Sequence, residues 1–223
     1  MNFHTPILLL LVSACTGVYS DPTQTTGAIG PTDGSPSNEP VDPPQIVTGN
    51  KRMFVTSTTY QGGLLGGLAG ADARCAARAS ASGLAGTYKA WLSDSHKSAA
   101  SRLTHSTGSY SLIDGTLVAA SWDDLVATNL QHAVDLDELG HTYTTKTTCF
   151  VVRGVAPVWT RTTPDGGIYP SQGFACSDWT EISQDGRYSA VQVGNILSSD
   201  THWTDSLCAA GCTEYASLYC LEQ

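Results

Sequence analysis

Apolar positions change their spacing several times along the chain, and each change marks an element. Arg52-Met53-Phe54-Val55-Thr56 is a run of β-formers that predicts a strand. The glycine pairs in Gly62-Gly63-Leu64-Leu65-Gly66-Gly67 break any regular element that follows. From about Leu68 to Ser82 the residues Leu68, Ala71, Cys75, Ala79 and Ser82 recur at intervals of three and four, which puts them on one helix face, while Arg74 and Arg78 share another. Gly83 supplies the stop. Small residues dominate that stripe, so the helix is expected to lie close against a sheet.

Downstream the pattern shortens. Lys89-Ala90-Trp91-Leu92 predicts a short strand, and the runs Tyr110 to Ile113 and Thr116 to Ala119 flank Asp114-Gly115, a strong hairpin signal. Trp122 to Ala127 reads as a short helix. Further strands are predicted at Phe150-Val151-Val152, Val158 to Arg161 and Leu218 to Leu221, with long loops between Asp165 and His202. An early helix, many short and mostly antiparallel strands and long loops make an α+β domain with substantial irregular structure. No internal repeat is present.

The front of the chain differs. From Thr16 to Asn50 it is mostly Pro, Gly, Ser, Thr and Asp and holds six of the ten prolines, a composition that buries too little apolar surface to offset its ordering entropy. Ahead of it, the apolar run Ile7 to Val12 leads into Val12-Ser13-Ala14-Cys15, which reads as a lipoprotein processing site whose cysteine is acylated and becomes the first residue. The chain has seven cysteines, so setting Cys15 aside leaves six that can pair. Val18-Tyr19-Ser20 before Asp21 offers an ordinary signal-peptidase site as the alternative. The expected organisation is a signal peptide over 1–14, a lipid-anchored disordered linker over 15–50 and one domain over 51–223. No apolar stretch approaches the roughly 20 residues needed to span a bilayer as a helix.

Charge removes one class of partner. The net charge is -9, all eleven Lys and Arg lie at or beyond Lys51, and four acids precede them, which leaves the domain at about -5. Neutralising phosphates requires a basic stripe, so nucleic acid is not an expected partner. Cysteine content points to export and an oxidising compartment.

Several phrases, taken in order, resemble a known domain: Met53-Phe54-Val55-Thr56-Ser57, Gly66 to Cys75, Ala90-Trp91-Leu92-Ser93, Val158-Trp159-Thr160, Cys176-Ser177-Asp178-Trp179-Thr180, His202-Trp203-Thr204-Asp205 and Leu218 to Glu222. They look like a bacterial domain of unknown function found in exported proteins of spirochaetes and myxobacteria and grouped with endostatin and the C-type lectins. The resemblance runs from about Arg52 to Gln223. It implies a C-type-lectin-like, endostatin-like fold in which Cys75 pairs with Cys220 and Cys176 with Cys212, leaving Cys149 and Cys208 for each other. Spacing alone allows fifteen pairings.

Ligand candidates follow from residue chemistry. Trp91, Trp159, Trp179 and Trp203 read either as a stacking surface or as core fillers whose indole N–H finds a carbonyl, and the core reading is weighted more heavily. Trp122, beside Asp123-Asp124 in an expected surface turn, is the least constrained. The ligand-contact candidates are thus Trp122, Trp179, Trp203 and Asp205. Calcium is the one cofactor candidate: Asp123 and Asp124, with Asp135, Asp137 and Glu138, form an acidic stretch lacking Lys and Arg from Leu103 to Thr145, Asp200 and Asp205 flank His202-Trp203, and all supply hard oxygen ligands. The Glu-Pro-Asn and Gln-Pro-Asp triplets of sugar-binding lectins are missing, and a solvated acidic surface is the plainer reading. Cys208-Ala209-Ala210-Gly211-Cys212 has zinc-like spacing, but disulfides are favoured in an oxidising compartment.

Asp94-Ser95-His96 contains triad residue types, yet immediate neighbours point apart, and no nucleophile elbow, phosphate loop or His-Glu-x-x-His is present. The expectation is a cell-surface lipoprotein that binds a glycan or an extracellular protein through loops between about Asp165 and Asp205, anchored in the bacterial envelope at the outer membrane or cell surface. An envelope hydrolase or oxidase with an unrecognised site, and a structural envelope component, are the alternatives.

Overall fold

Ala216 to Leu221 is an unbroken buried run within the longest strand, and burial on both faces of a sheet is what such a run encodes. A computed structural model describes residues 46–127, 130–144, 147–149, 152–170, 176–182 and 190–223. All belong to one unit spanning 41–223.

The strands among the described residues are β1 Ile46–Val47, β2 Lys51–Val55, β3 Tyr60–Gln61, β4 Tyr88–Ala90, β5 His105–Ser106, β6 Tyr110–Leu112, β7 Leu117–Ala119, β8 Thr147–Cys149, β9 Val152–Val155, β10 Pro157–Trp159, β11 Ala190–Asn195, β12 Cys208–Gly211 and β13 Tyr215–Glu222. The right-handed α-helices among the described residues are α1 Gly67–Ala81, α2 Ala99–Arg102 and α3 Trp122–Val126, with a positive-φ turn at Cys176–Trp179 and 3-10 turns at Gly62–Leu64 and Thr201–Trp203. The fold is mixed α+β. No helix among the described residues is long and apolar enough to cross a membrane.

The main sheet runs β12-β11-β10-β13-β2-β6-β7, and β3 and β4 also pair with β13. Cys220 opposes both Phe54 of β2 and Ala90 of β4, so those strands lie on opposite edges of β13. Most pairs are antiparallel, as expected, but β10 with β13, β2 with β6 and β1 with β5 are parallel. The two-residue period sorts side chains cleanly to two faces. Phe54, Leu218 and Cys220 face one core, shared with Cys75 and Trp159. Met53, Val55, Tyr219 and Leu221 face the other, shared with Trp91, Trp122 and Trp203.

Helix α1 covers the first core through Ala71, Cys75 and Ala79, the small-residue stripe legible in the sequence. A disulfide from Cys75 to Cys220 fastens the helix to β13, and a second joins Cys176 to Cys212. Both are pairs that the resemblance implies. Cys208 is also disulfide-bonded. The expected Cys149–Cys208 pairing falls outside the described residues, because the Cys149 side chain is not among them.

One expectation needs correction: residues 190–195 form a strand, although the stretch from Asp165 to His202 reads as long loops, and 208–211 is a further strand that the pattern does not mark. In β11 the alternation is masked because polar Gln192 and small Gly194 are buried beside Val191 and Val193. Gly194 is required there: a Cβ would run into the Trp203 carbonyl, which packs directly on the strand. Ahead of Lys51, Ile46 and Val47 of β1 pair with His105 and Ser106. Of the strand predicted at Phe150 to Val152, β9 holds Val152, while Phe150 and Val151 lie outside the described residues, as do 1–45 with Cys15.

Candidate functional site

Two short segments from opposite ends of a connection build a cavity of about 270 Å³, lined by His105, Ser106, Thr107, Ser121, Trp122 and Asp123. The first segment is pinned by backbone. β1 holds His105 and Ser106 in register, Thr107 N–H donates to the Val47 carbonyl at 3.0 Å, and Ser106 N–H donates to the Tyr110 hydroxyl at 2.9 Å. The second segment opens α3. Ser121 caps it by accepting from Asp124 N–H at 3.2 Å, which satisfies one of the free donors of the first turn.

One turn of helix then divides the residues. Trp122 and Leu125 face the core, and Asp123 and Asp124 face solvent. The Trp122 indole stacks on His105 with centroids 3.7 Å apart and planes 13° apart, and leans on Trp91 at 5.7 Å and Tyr110 at 6.3 Å. The His105 Nε2 lies 2.8 Å from the Ala100 carbonyl, which only accepts, so Nε2 carries the hydrogen and Nδ1 remains an acceptor in the neutral ring. Trp122 is thus 7% exposed rather than free in a surface turn. Its indole is the wall of the cavity, and one face is taken by His105.

The other tryptophans are interior. Trp91, Trp159, Trp179 and Trp203 are fully buried. The indole N–H groups donate to the Thr204 hydroxyl from Trp91 at 2.8 Å, to the Tyr60 carbonyl from Trp159 at 2.8 Å and to the Ser93 carbonyl from Trp179 at 3.0 Å. Trp203 Nε1 has no partner among the described residues. Trp179 and Trp203 therefore present no surface to a ligand, because the sheet and the other rings enclose them. The core reading describes all four.

The carboxylates do not converge. Among the described residues no three His, Cys, Asp or Glu side chains are placed to hold a metal ion. Asp200 caps the turn Thr201–Trp203, accepting from His202 N–H at 2.9 Å and Ser198 Oγ at 2.6 Å, and the Ser198 bond first among its partners holds its pKa below the ordinary value. Asp205 accepts from the buried Gln192 amide and from Leu207 N–H. Asp124 is tied to Ser121, and Asp123 faces the cavity. The four calcium candidates thus lie in separate places, and none of them belongs to a cluster of three metal-ligand side chains among the described residues. Cys212 is in a disulfide, as is Cys208, so the zinc-like spacing binds no metal.

A second polar region surrounds Asp178. Its carboxylate accepts from Ser95 N–H at 2.8 Å and from Ser95 Oγ at 2.5 Å, with His96 Nε2 at 3.9 Å and Arg161 Nη1 at 3.5 Å. The serine hydroxyl donates to a carboxylate here, so Asp94-Ser95-His96 assembles no relay. The backbone is unusual: Cys176, Ser177, Asp178 and Trp179 all have positive φ, as does Arg161 at 45°. Arg161 is buried, with Nε and Nη1 lacking hydrogen-bond partners among the described residues, and burial lowers its pKa. Of the late loops, residues 171–175 and 183–189 lie outside the description.

His105, Ser106, Thr107 and Ser121 carry no sequence signal that sets them apart. Polar residues scattered singly become a site only when β1 and β5 pair and α3 packs beside them. No protein-family model matches the chain, and no curated protein matches it.

Proposed function

We propose that the chain is an exported binding module of the C-type-lectin-like, endostatin-related kind, anchored in the bacterial envelope through Cys15, which takes up a glycan or a group on an extracellular protein beside Trp122. The carrying observation is the cavity at His105, Ser106, Thr107, Ser121, Trp122 and Asp123, where polar side chains surround an aromatic wall. An aromatic wall with a few oriented hydroxyls and a carboxylate is the composition expected of a sugar or small polar group site. The wall is rigid, because Trp122 is wedged among His105, Trp91 and Tyr110. Two disulfides and a sheet buried on both faces hold the surrounding frame, so little ordering entropy opposes binding.

Glycan and matrix-protein arrays probed with the oxidised protein test this reading. Thr107→Ala and Asp123→Ala, which change cavity polar groups without touching the core, serve as controls. Saturable binding lost in both variants supports it. Array binding that ignores both variants moves the contact elsewhere, and no binding to any array favours a structural envelope role.

A further inference from the structure

The cavity lining holds a carboxylate and no Lys or Arg, and this selects among ligands. Asp123 contributes a carboxylate to its wall, and Asp124 follows one residue later on the same exposed side of α3. His105 spends Nε2–H on the Ala100 carbonyl. Ser106 Oγ already donates to the Gly49 carbonyl, and Ser121 Oγ lies 3.2 Å from the Asp124 carboxylate, so neither hydroxyl has a hydrogen to spare for an anion. No Lys or Arg occurs between Leu103 and Thr145. The nearest arginine in sequence, Arg102, turns away: its guanidinium pairs with Asp72 and donates to the carbonyls of Ala90 and Leu92.

We propose that this cavity takes an uncharged, polyhydroxyl ring whose hydroxyls donate to Asp123, and that it excludes the same ring once it carries a carboxylate. The inference rests on the binding reading above and narrows its ligand class. A sugar hydroxyl donating to Asp123 forms a charge-assisted bond. An acidic sugar brings a like charge against Asp123 and Asp124 with no Lys or Arg in the cavity lining, and specificity of this kind comes from the repulsive element as much as the attractive one. The low dielectric wall of Trp122 strengthens both effects.

Paired monosaccharide probes test it on the oxidised, full-length protein: glucose against glucuronate and galactose against galacturonate, read by ligand-observed NMR. The neutral member of at least one pair is expected to bind roughly tenfold or more tightly than its acid, about the discrimination one uncompensated charge contact supports. Raising the salt concentration should narrow that gap, since the repulsion is screened. Asp123→Asn should weaken the neutral sugar and reduce the discrimination against the acid. Equal or tighter binding of the acid overturns the inference while leaving the binding reading in place. If neither pair binds and the arrays are also blank, the binding reading itself fails.

Discussion

Cys75, on the buried face of α1, is bonded to Cys220 in the final strand, and 145 positions separate them in the chain. The Cys176–Cys212 bond closes a much shorter loop, with a separation of 36. Chain entropy makes the longer closure worth more, about 5 kcal/mol against about 4 kcal/mol. Replacing Cys75 and Cys220 together by alanine is therefore expected to lower stability more than replacing Cys176 and Cys212 together. Denaturant unfolding midpoints of the two double variants check the order, and the reverse order would show that native-state packing, not loop closure, sets the difference.

Gly194 and Trp203 give a local test of how the second core is closed. Because a Cβ at Gly194 meets the Trp203 backbone carbonyl, Gly194→Ala must push the Thr201–Trp203 turn off β11. The expected loss is about 1–3 kcal/mol, the usual cost of overpacking. Thermal unfolding reads it, and near-ultraviolet circular dichroism should change as Trp203 shifts against Trp91 and Tyr219.

Acid should act through the buried Glu138 and the half-buried Glu222. Burial opposes ionisation of Glu138, but hydrogen bonds from the Ser57 hydroxyl and N–H, and from Arg78, outweigh it and hold the pKa below the ordinary carboxylate value. Glu222 is burdened by burial in the same way and held low by Arg52. A depressed folded pKa contributes stability that is present above the unfolded value of about 4.3 and lost as pH falls through the folded one. Glu138→Gln is expected to lower stability at neutral pH and flatten its fall below about pH 4, which chemical denaturation at stepped pH measures.

Alkali acts on the other side. Burial pushes Tyr88 and Tyr110 up to about 12. A raised folded pKa gives stability that is full below about pH 10 and lost as pH rises through the folded value. Ultraviolet titration should therefore show tyrosines that ionise late, together with unfolding.

Arg161 offers a substitution expected to help. A buried guanidinium whose Nε and Nη1 lack hydrogen-bond partners among the described residues, with the Asp178 carboxylate 3.5 Å away, gains little from its charge. Arg161→Met keeps the bulk and removes the unpaired donors. Stability equal to or up to about 1–4 kcal/mol above the parent is expected. A loss of comparable size would assign Arg161 a structural partner that the Asp178 contact does not supply.

Much of this architecture was legible in the residues. The stripe Ala71, Cys75 and Ala79 is helical spacing, and the Asp114-Gly115 turn does join β6 to β7 antiparallel. Tertiary packing hid the rest. β11 lost its alternation to Gln192, which is buried because Asp205 accepts its amide, and to Gly194, which is needed for the contact with Trp203. The site was half legible. Trp122 and Asp123 stood out as candidates, but the opposite wall at His105 to Thr107 depends on pairing with a two-residue strand in the Pro-rich stretch, and no local pattern encodes that.

The most direct test follows the five indole N–H signals in a proton–nitrogen correlation spectrum while a sugar found on the arrays is added. The account expects the Trp122 signal to shift saturably, while Trp159 and Trp179, sealed in the opposite core, stay fixed. Saturable shifts at Trp159 or Trp179 with Trp122 unmoved would contradict it.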